Sequence, residues 1–510
     1  MFRLDYTEEQ KRILRDKFSG MLSIERFRRS EVDTDDTDGR TAFDSDFSRI
    51  AMSAPIRRLQ DKTQVIPMDK YDFSRNRLTH SVEVLCIARG LALGVERVLR
   101  DNGIYDFKHQ ELVSILQTAA LMHDIGNPPF GHQGEKAVQT FFTNTIQNHP
   151  WLRDYFSQLS PIQKADLQNI EGNTQGFRIL CRLELAKDDN SYNLTKTTLS
   201  TIIKYPYNAI DGNKDPKQEG APVFHEQEKF GYFEAERDRY ENICKELGLQ
   251  EHQRHPLTYL LEAADDIAYT VCDVEDGVRY GLIAIADIQN IFRKKDEEIS
   301  YDDIKALVSR LSYVDELQCQ YDMQSLRIKV QSQMIIACTK EFCRNFSEIV
   351  EGTYHGELLK NSEANILREI FKELGKGVIH SEMVTSKERE GKEAIEYLLD
   401  GYLSALLLLD ENTPEDFPEY ELYASISANY RKAACEKGKN VPTDIYKKFL
   451  LVTDYIFGMT DRFLMDTYHE EEIRTLILRV KSKIDGIRHR KVNLWWNRML
   501  FYCKDILKTK

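Results

Sequence analysis

A chain of 510 residues, 41 % hydrophobic and 30 % charged, has the balance of a soluble globular protein and the length for more than one domain. A net charge of −13 speaks against broad, non-specific binding of nucleic acid. The longest apolar run, Leu403 to Leu409, is interrupted by Ser404 and is far too short to span a bilayer.

The N-terminus alternates charged and apolar residues without an apolar core, so it does not read as a secretory signal. Nine cysteines are scattered singly with no CxxC pair, the pattern of reduced thiols in a cytoplasm. Helical periodicity dominates the chain, and the expected fold class is all-α. Residues 1–30 read as a charged helix, and the acidic "EVDTDDTDGRTAFDSD" (31–46) as a surface loop. Three apolar-periodic segments follow between Phe47 and Gly126, with "IPMDKYDFSRNR" (66–77) as an extended connection. The last carries Leu112, Ile115, Leu116, Ala119, Ala120 and Met122 at helical spacing, and Gly126 with Pro128-Pro129 ends it. "KYPYNAIDGNKDPKQEGAP" (204–222) is too rich in turn formers for a routine connection and reads as disorder or a lid. Pro256 opens a helix that Gly277 is expected to close. Residues 300–510 are helix-like with charged faces, and "RVKSKIDGIRHRK" (479–491) is their most basic stretch.

The densest chemistry lies in "HDIGNPPFGHQGE" (123–135). Divalent metals take neutral imidazole nitrogens and ionised carboxylates, and His123-Asp124 offers one of each. Adjacent helical residues diverge by about 100°, but a helix end can aim both inward. Two residues rarely hold a metal alone. His80, at the start of an apolar helix, is a further donor. So is a carboxylate of the helix after Pro256, where Asp265, Asp266 and Asp273 interrupt an apolar sequence. Carboxylates there are costly to bury unless paired or bound to metal.

"HSVEV", "HDIGNPPFGHQGE" and "EAADDIAYTVCDVEDG" resemble the HD-domain phosphohydrolases, most closely the deoxyguanosine triphosphate triphosphohydrolases. "SAPIRRLQDKTQV", "NRLTHS", "EGNTQGFR", "KYP", "KFGYF" and "DYIFGMTDR" are similar to further blocks of that family. The resemblance implies an HD-domain helical bundle over 46–295, with a flexible loop near 205–222. An N-terminal helix and acidic loop (1–45) would precede it, and a helical region (296–510) would pack on it. It implies one divalent ion, Mn or Mg with Fe or Co as alternatives, on His80, His123, Asp124 and one of the 265–266 pair. Asp265 is favoured because it shares a helix stripe with Tyr269 and Asp273 at i, i+4, i+8; Asp266 is left to brace a neighbour.

The implied reaction is hydrolysis of a deoxynucleoside triphosphate, most readily dGTP, at the α-phosphorus. His132 is the expected general acid, oriented by Glu135. Arg77, Lys204 and Lys229 would meet the triphosphate, Tyr269 would exclude a 2′-hydroxyl, and Gln64 and Asp273 would bind the 3′-hydroxyl. Asn127 stands where many relatives carry His; it can donate a hydrogen bond to phosphate but cannot carry a positive charge or give up a proton at pH 7. Arg178 is family-like without an assigned role. The resemblance further implies a homo-oligomer, with a hexamer as one form. Two other readings are an HD-type nucleotide monophosphate phosphatase or phosphodiesterase, and a nucleotide sensor or single-stranded DNA binder using 479–491.

Overall fold

The structure, a computed structural model, describes residues 2–28, 39–64, 74–107, 110–184, 188–213, 224–312, 316–379 and 382–488. A capping box of Thr7 and Gln10 starts α1 (Glu8–Gly20), and another of Thr41 and Asp44 starts α2 (Ala42–Ala51). Both differ from the sequence expectation. The N-terminal helix is shorter than 1–30 because the chain leaves it to seat Arg26. That buried guanidinium bonds Asp46, the Asn193 carbonyl at 2.7 Å and the Ala42 carbonyl at 2.9 Å. The end of the expected acidic loop is helical because Phe43 and Ile50 face the core, while Asp44 caps the helix and Asp46 pairs with Arg26.

Asn76 caps α3 (Arg77–Asp101) by accepting from the Thr79 N–H at 2.9 Å. Its inward stripe of Val84, Ala88, Leu91, Val95 and Leu99 packs along α4 (Glu111–Met122). Nine of the twelve residues of α4 are buried, the mark of a helix enclosed on all sides. Helices α2 and α3 flank it. The Pro-Pro turn then leads into α5 (Gly131–Thr140), and α6 (Gly172–Arg178) lies against that turn. A Cβ at Gly126 would come within 2.1 Å of the Gly176 nitrogen, so the two backbones meet where only glycine fits.

Pro256 opens α7 (Pro256–Arg279), with the His255 side chain as its cap. The helix continues past the expected stop at Gly277, which is buried within it, to Arg279. Helix α7 packs on both α3 and α4. Across its other side lie α8 (Glu316–Arg344) and α9 (Asn365–Ile379). Helix α10 (Glu382–Leu408) packs on α5, and α11 (Ile445–Gly458) and α12 (Asp461–His469) pack on α10. One apolar core runs without a break from Leu14 to Ile484.

Among the described residues there is no β-sheet, only two isolated bridges, Arg26 with Thr195 and Thr63 with Asn76. No helix there is long and apolar enough to cross a membrane. Of the expected lid, residues 205–213 are described, and Tyr205, Tyr207 and Ala209 are buried; residues 214–223 lie outside the described set, as do most of 66–77 and the end of the basic stretch at 489–491. Within that stretch Lys481 is 2.5 Å from Asp400 and Lys483 pairs with Glu419, so part of its charge is matched inside the chain.

Candidate active site

Three helices meet at the His-Asp pair. His80 lies in the first turn of α3, His123 and Asp124 follow the last turn of α4, and Asp265 sits midway along α7. One donor atom from each of His80, His123 and Asp124 falls within 4.8 Å of the others. Asp265 Oδ1 is 3.1 Å from His80 Nε2 and 3.5 Å from His123 Nε2. His123 is the C-cap of α4 and keeps helical dihedrals at φ −60 and ψ −32, and the chain turns away from Asp124 onward.

His123 carries the clearest mark of a ligand. Its Nδ1 lies 2.7 Å from the Ala120 carbonyl, which places the proton on that nitrogen. Nε2 therefore offers a lone pair; it is buried, makes no hydrogen bond, and faces Asp124 Oδ1 at 3.4 Å and Asp265 Oδ1 at 3.5 Å. A buried lone pair held against two carboxylate oxygens is repulsive and carries a cost. A divalent cation held by His80, His123, Asp124 and Asp265 would relieve that cost, and two imidazoles with two carboxylates suit it chemically.

Both carboxylates are kept ionised. Burial works against the charge of Asp124, but Arg77, His123 and His80 outweigh it and hold the group down to about 2. Arg77 Nη1 is 2.8 Å from Asp124 Oδ2. Burial likewise opposes charge on Asp265, yet the Lys204 ammonium above all holds it well below the ordinary range. Lys204 Nζ sits 3.1 Å from Asp265 Oδ2, and that carboxylate raises the lysine despite its burial.

His132, in the first turn of α5, has Nδ1 3.1 Å from Glu135 Oε2, and its side chain is 68 % exposed. Glu135 is buried, and its second oxygen accepts from the Gly172 N–H at 2.7 Å. The imidazole is thus oriented from behind, with Nε2 as its remaining polar atom. Arg77 reaches the same turn: a Cβ at Gly131 would come within 2.7 Å of its Nη2. Asn127 donates to Asp124 Oδ1 at 2.5 Å, and Lys229 is paired with Glu171.

Before its last two residues, helix α7 is buried except at Asp265, Asp266, Tyr269 and Asp273, which are half-buried. Asp266 lies 3.7 Å from both Arg368 and Lys372 of α9, and it accepts the Tyr269 hydroxyl at 2.6 Å. Burial and the neighbouring Asp276 push Asp273 up to about 7. Gln64 follows the Thr63–Asn76 bridge at the mouth of α3, and its Oε1 is buried without a partner. Sequence reasoning missed Arg368 and Lys372. Lys372 Nζ stands 5.1 Å over the Tyr269 ring, so α9 brings cations to the edge of this stripe. Their i, i+4 spacing was the only signal, and it is shared by ordinary solvated helix faces. Arg178 is fully buried and bidentate on Asp454, away from solvent.

The HD domain family matches residues 77–169, which holds α3, the His-Asp pair and α5. A deoxyguanosinetriphosphate triphosphohydrolase-like protein of Listeria monocytogenes is 36 % identical over 470 residues, covering 89 % of this chain and 98 % of its own. One of Synechocystis is 32 % identical, covering 86 % of this chain and 95 % of its own. A deoxyguanosinetriphosphate triphosphohydrolase of Yersinia enterocolitica is 29 % identical, covering 88 % and 98 %. With a helical bundle that assembles the His-Asp site, and relatives matched over nearly their whole length, this chain is an HD-domain enzyme and belongs to the deoxyguanosinetriphosphate triphosphohydrolase family.

Proposed function

We propose that the chain hydrolyses deoxynucleoside triphosphates, dGTP foremost, at the α-phosphorus to give the deoxynucleoside and inorganic triphosphate. The observation that carries this reading is the buried, unpartnered Nε2 of His123 beside His80, Asp124 and Asp265. A divalent ion there, Mn or Mg and otherwise Fe or Co, would polarise a phosphoryl oxygen and lower the pKa of water. Arg77 and Lys204 already stand against the two carboxylates, so they reach the edge of the site where phosphoryl charge collects. Lys229, Arg368 and Lys372 supply further cations for the triphosphate, and Asn127 a neutral donor.

His132 protonates the leaving 5′ oxygen from Nε2, while Glu135 stabilises the charged imidazole through Nδ1. Tyr269, fixed by Asp266, forms the floor under C2′, and Gln64 and Asp273 bind the 3′-hydroxyl. The family reading also carries a homo-oligomer, a hexamer among its forms, in a cytoplasmic setting. Reduced cysteines fit that setting: those of the described residues form no disulfide.

The test is to offer dATP, dCTP, dGTP and dTTP separately with Mn or Mg and to identify the phosphate product. Inorganic triphosphate, fastest from dGTP, is expected. Orthophosphate would favour the phosphatase reading, and no turnover with any of the four would leave a nucleotide sensor.

A further inference from the structure

The "DYIFGMTDR" segment (454–462) lies more than 300 residues from the His-Asp pair in sequence, yet one end meets the turn before His132 and the other meets α6. Phe130 stands immediately before α5 in the left-handed region, at φ 58, with no side-chain cap. A bulky residue holds that conformation only where its surroundings over-determine it. Two of them do. The Phe130 N–H donates to Asp461 Oδ1 at 3.0 Å. Its ring also fills the notch left by Gly391 on α10, where a Cβ would come within 2.5 Å.

The other oxygen of Asp461 accepts from the Thr63 N–H at 3.1 Å and from the Thr63 hydroxyl, so the same buried carboxylate fixes the residue before Gln64. Lys62, also buried, donates to the Asn127 carbonyl at 2.5 Å and the Phe457 carbonyl at 2.7 Å. At the far end of the segment, Asp454 takes Arg178 Nε and Nη2 and Gln175 Nε2, each at 2.8 Å. Those two residues belong to α6, whose first residue, Gly172, holds Glu135 behind His132. Asp461 therefore fixes the turn before His132, and Asp454 fixes the helix that supports its carboxylate partner.

On the reading that His132 is the general acid, we propose that residues 454–461 form a bracket that holds His132 in register for proton transfer, with Asp461 as its positioning residue. Asp461 acts through Phe130 and Thr63 and touches no reacting atom. A displacement of about 1 Å at a catalytic group costs about 100-fold in rate.

The test compares Asp461→Asn, His132→Ala and the double variant under one set of dNTP and metal conditions. Asp461→Asn is expected to lower kcat about 10- to 100-fold with KM within about threefold, and to add no further loss on the His132→Ala background. Equal losses on both backgrounds, or an unchanged kcat, would overturn the proposal. If Asp461→Asn does not fold, Lys62→Met, which unties Asn127 from Phe457, is read in the same way. Tyr402→Phe, which removes the hydroxyl bonded to Ser425, controls for lost stability and should leave kcat unchanged; a matching fall would count against the bracket. Exchange of the Phe130 amide needs no substrate. It should quicken in Asp461→Asn, and unchanged exchange overturns the bracket. A wild-type chain inactive with every dNTP would sink the proposed function, while the exchange result would still decide whether Asp461 fixes the turn.

Discussion

The roles proposed for His132 and Tyr269 are the two most open to test by single substitutions. The His132 side chain is exposed and anchored at Nδ1, so on the proposed reading His132→Ala removes a proton donor without removing a metal donor. Turnover is expected to fall about 100- to 10,000-fold while bound metal, measured by elemental analysis, stays at the wild-type level. Near-normal turnover would discard the general-acid role. Tyr269 donates to Asp266 and lies under Lys372, which fixes its ring against the half-buried stripe of α7. Tyr269→Ala opens space below C2′, so the ratio of kcat/KM for dGTP over GTP should fall at least tenfold. An unchanged ratio would place ribose discrimination elsewhere. That His80, His123 and Asp124 come together was legible in the sequence because an adjacent His-Asp at a helix end is uncommon chemistry; the second His after the Pro-Pro turn and the carboxylates on an apolar helix stood out for the same reason. Arg368 and Lys372 were not legible, because nothing in a sequence distinguishes a lysine over a half-buried tyrosine from one in water.

Among the elements, α7 does most to set the site, and its cap gives it a pH dependence. His255 Nδ1 accepts the Leu257 N–H at 3.2 Å, and its Nε2 lies 3.0 Å from the Met21 carbonyl, which ties the start of α7 to the end of α1. Burial pushes His255 down to about 4 from an ordinary value of 6.5. The unfolded chain therefore takes up the proton first. This contribution to stability is complete above about pH 6.5 and is lost as pH falls toward 4, a span on the order of 3 kcal/mol. Urea midpoints at pH 7, 5.5 and 4.5 should drop for the wild type and drop less for His255→Asn, which retains a capping oxygen but does not titrate. Identical slopes would show that His255 is not the titrating group. The helix itself was predicted from its apolar spacing and Pro256. Its end was not, because Gly277 is enclosed by tertiary packing that overrides its local preference to stop a helix. The same competition shortened the first helix, where a buried Arg26–Asp46 pair outweighed the local helical pattern of residues 21–30.

For the molecule as a whole, an acidic chain is proposed to bind a polyanion, and the cations proposed to meet it stand in the structure paired with carboxylates that the polyanion would compete with. Arg77 with Asp124, Lys204 with Asp265 and Lys229 with Glu171 hold positive groups at the site in a protein of net charge −13. The helical class was readable from periodicity alone. The service of the C-terminal half to the site was not, because Asp461 meets Phe130 across 331 positions and hydrogen bonds of that range leave no local pattern. The most direct measurement of the central claim is the metal content of the purified full-length chain beside His123→Ala, after equilibration with Mn and removal of loosely bound ions. One divalent ion per chain in the wild type and close to none in His123→Ala is the predicted result; equal metal in both would contradict a site built on the unpartnered nitrogen of His123.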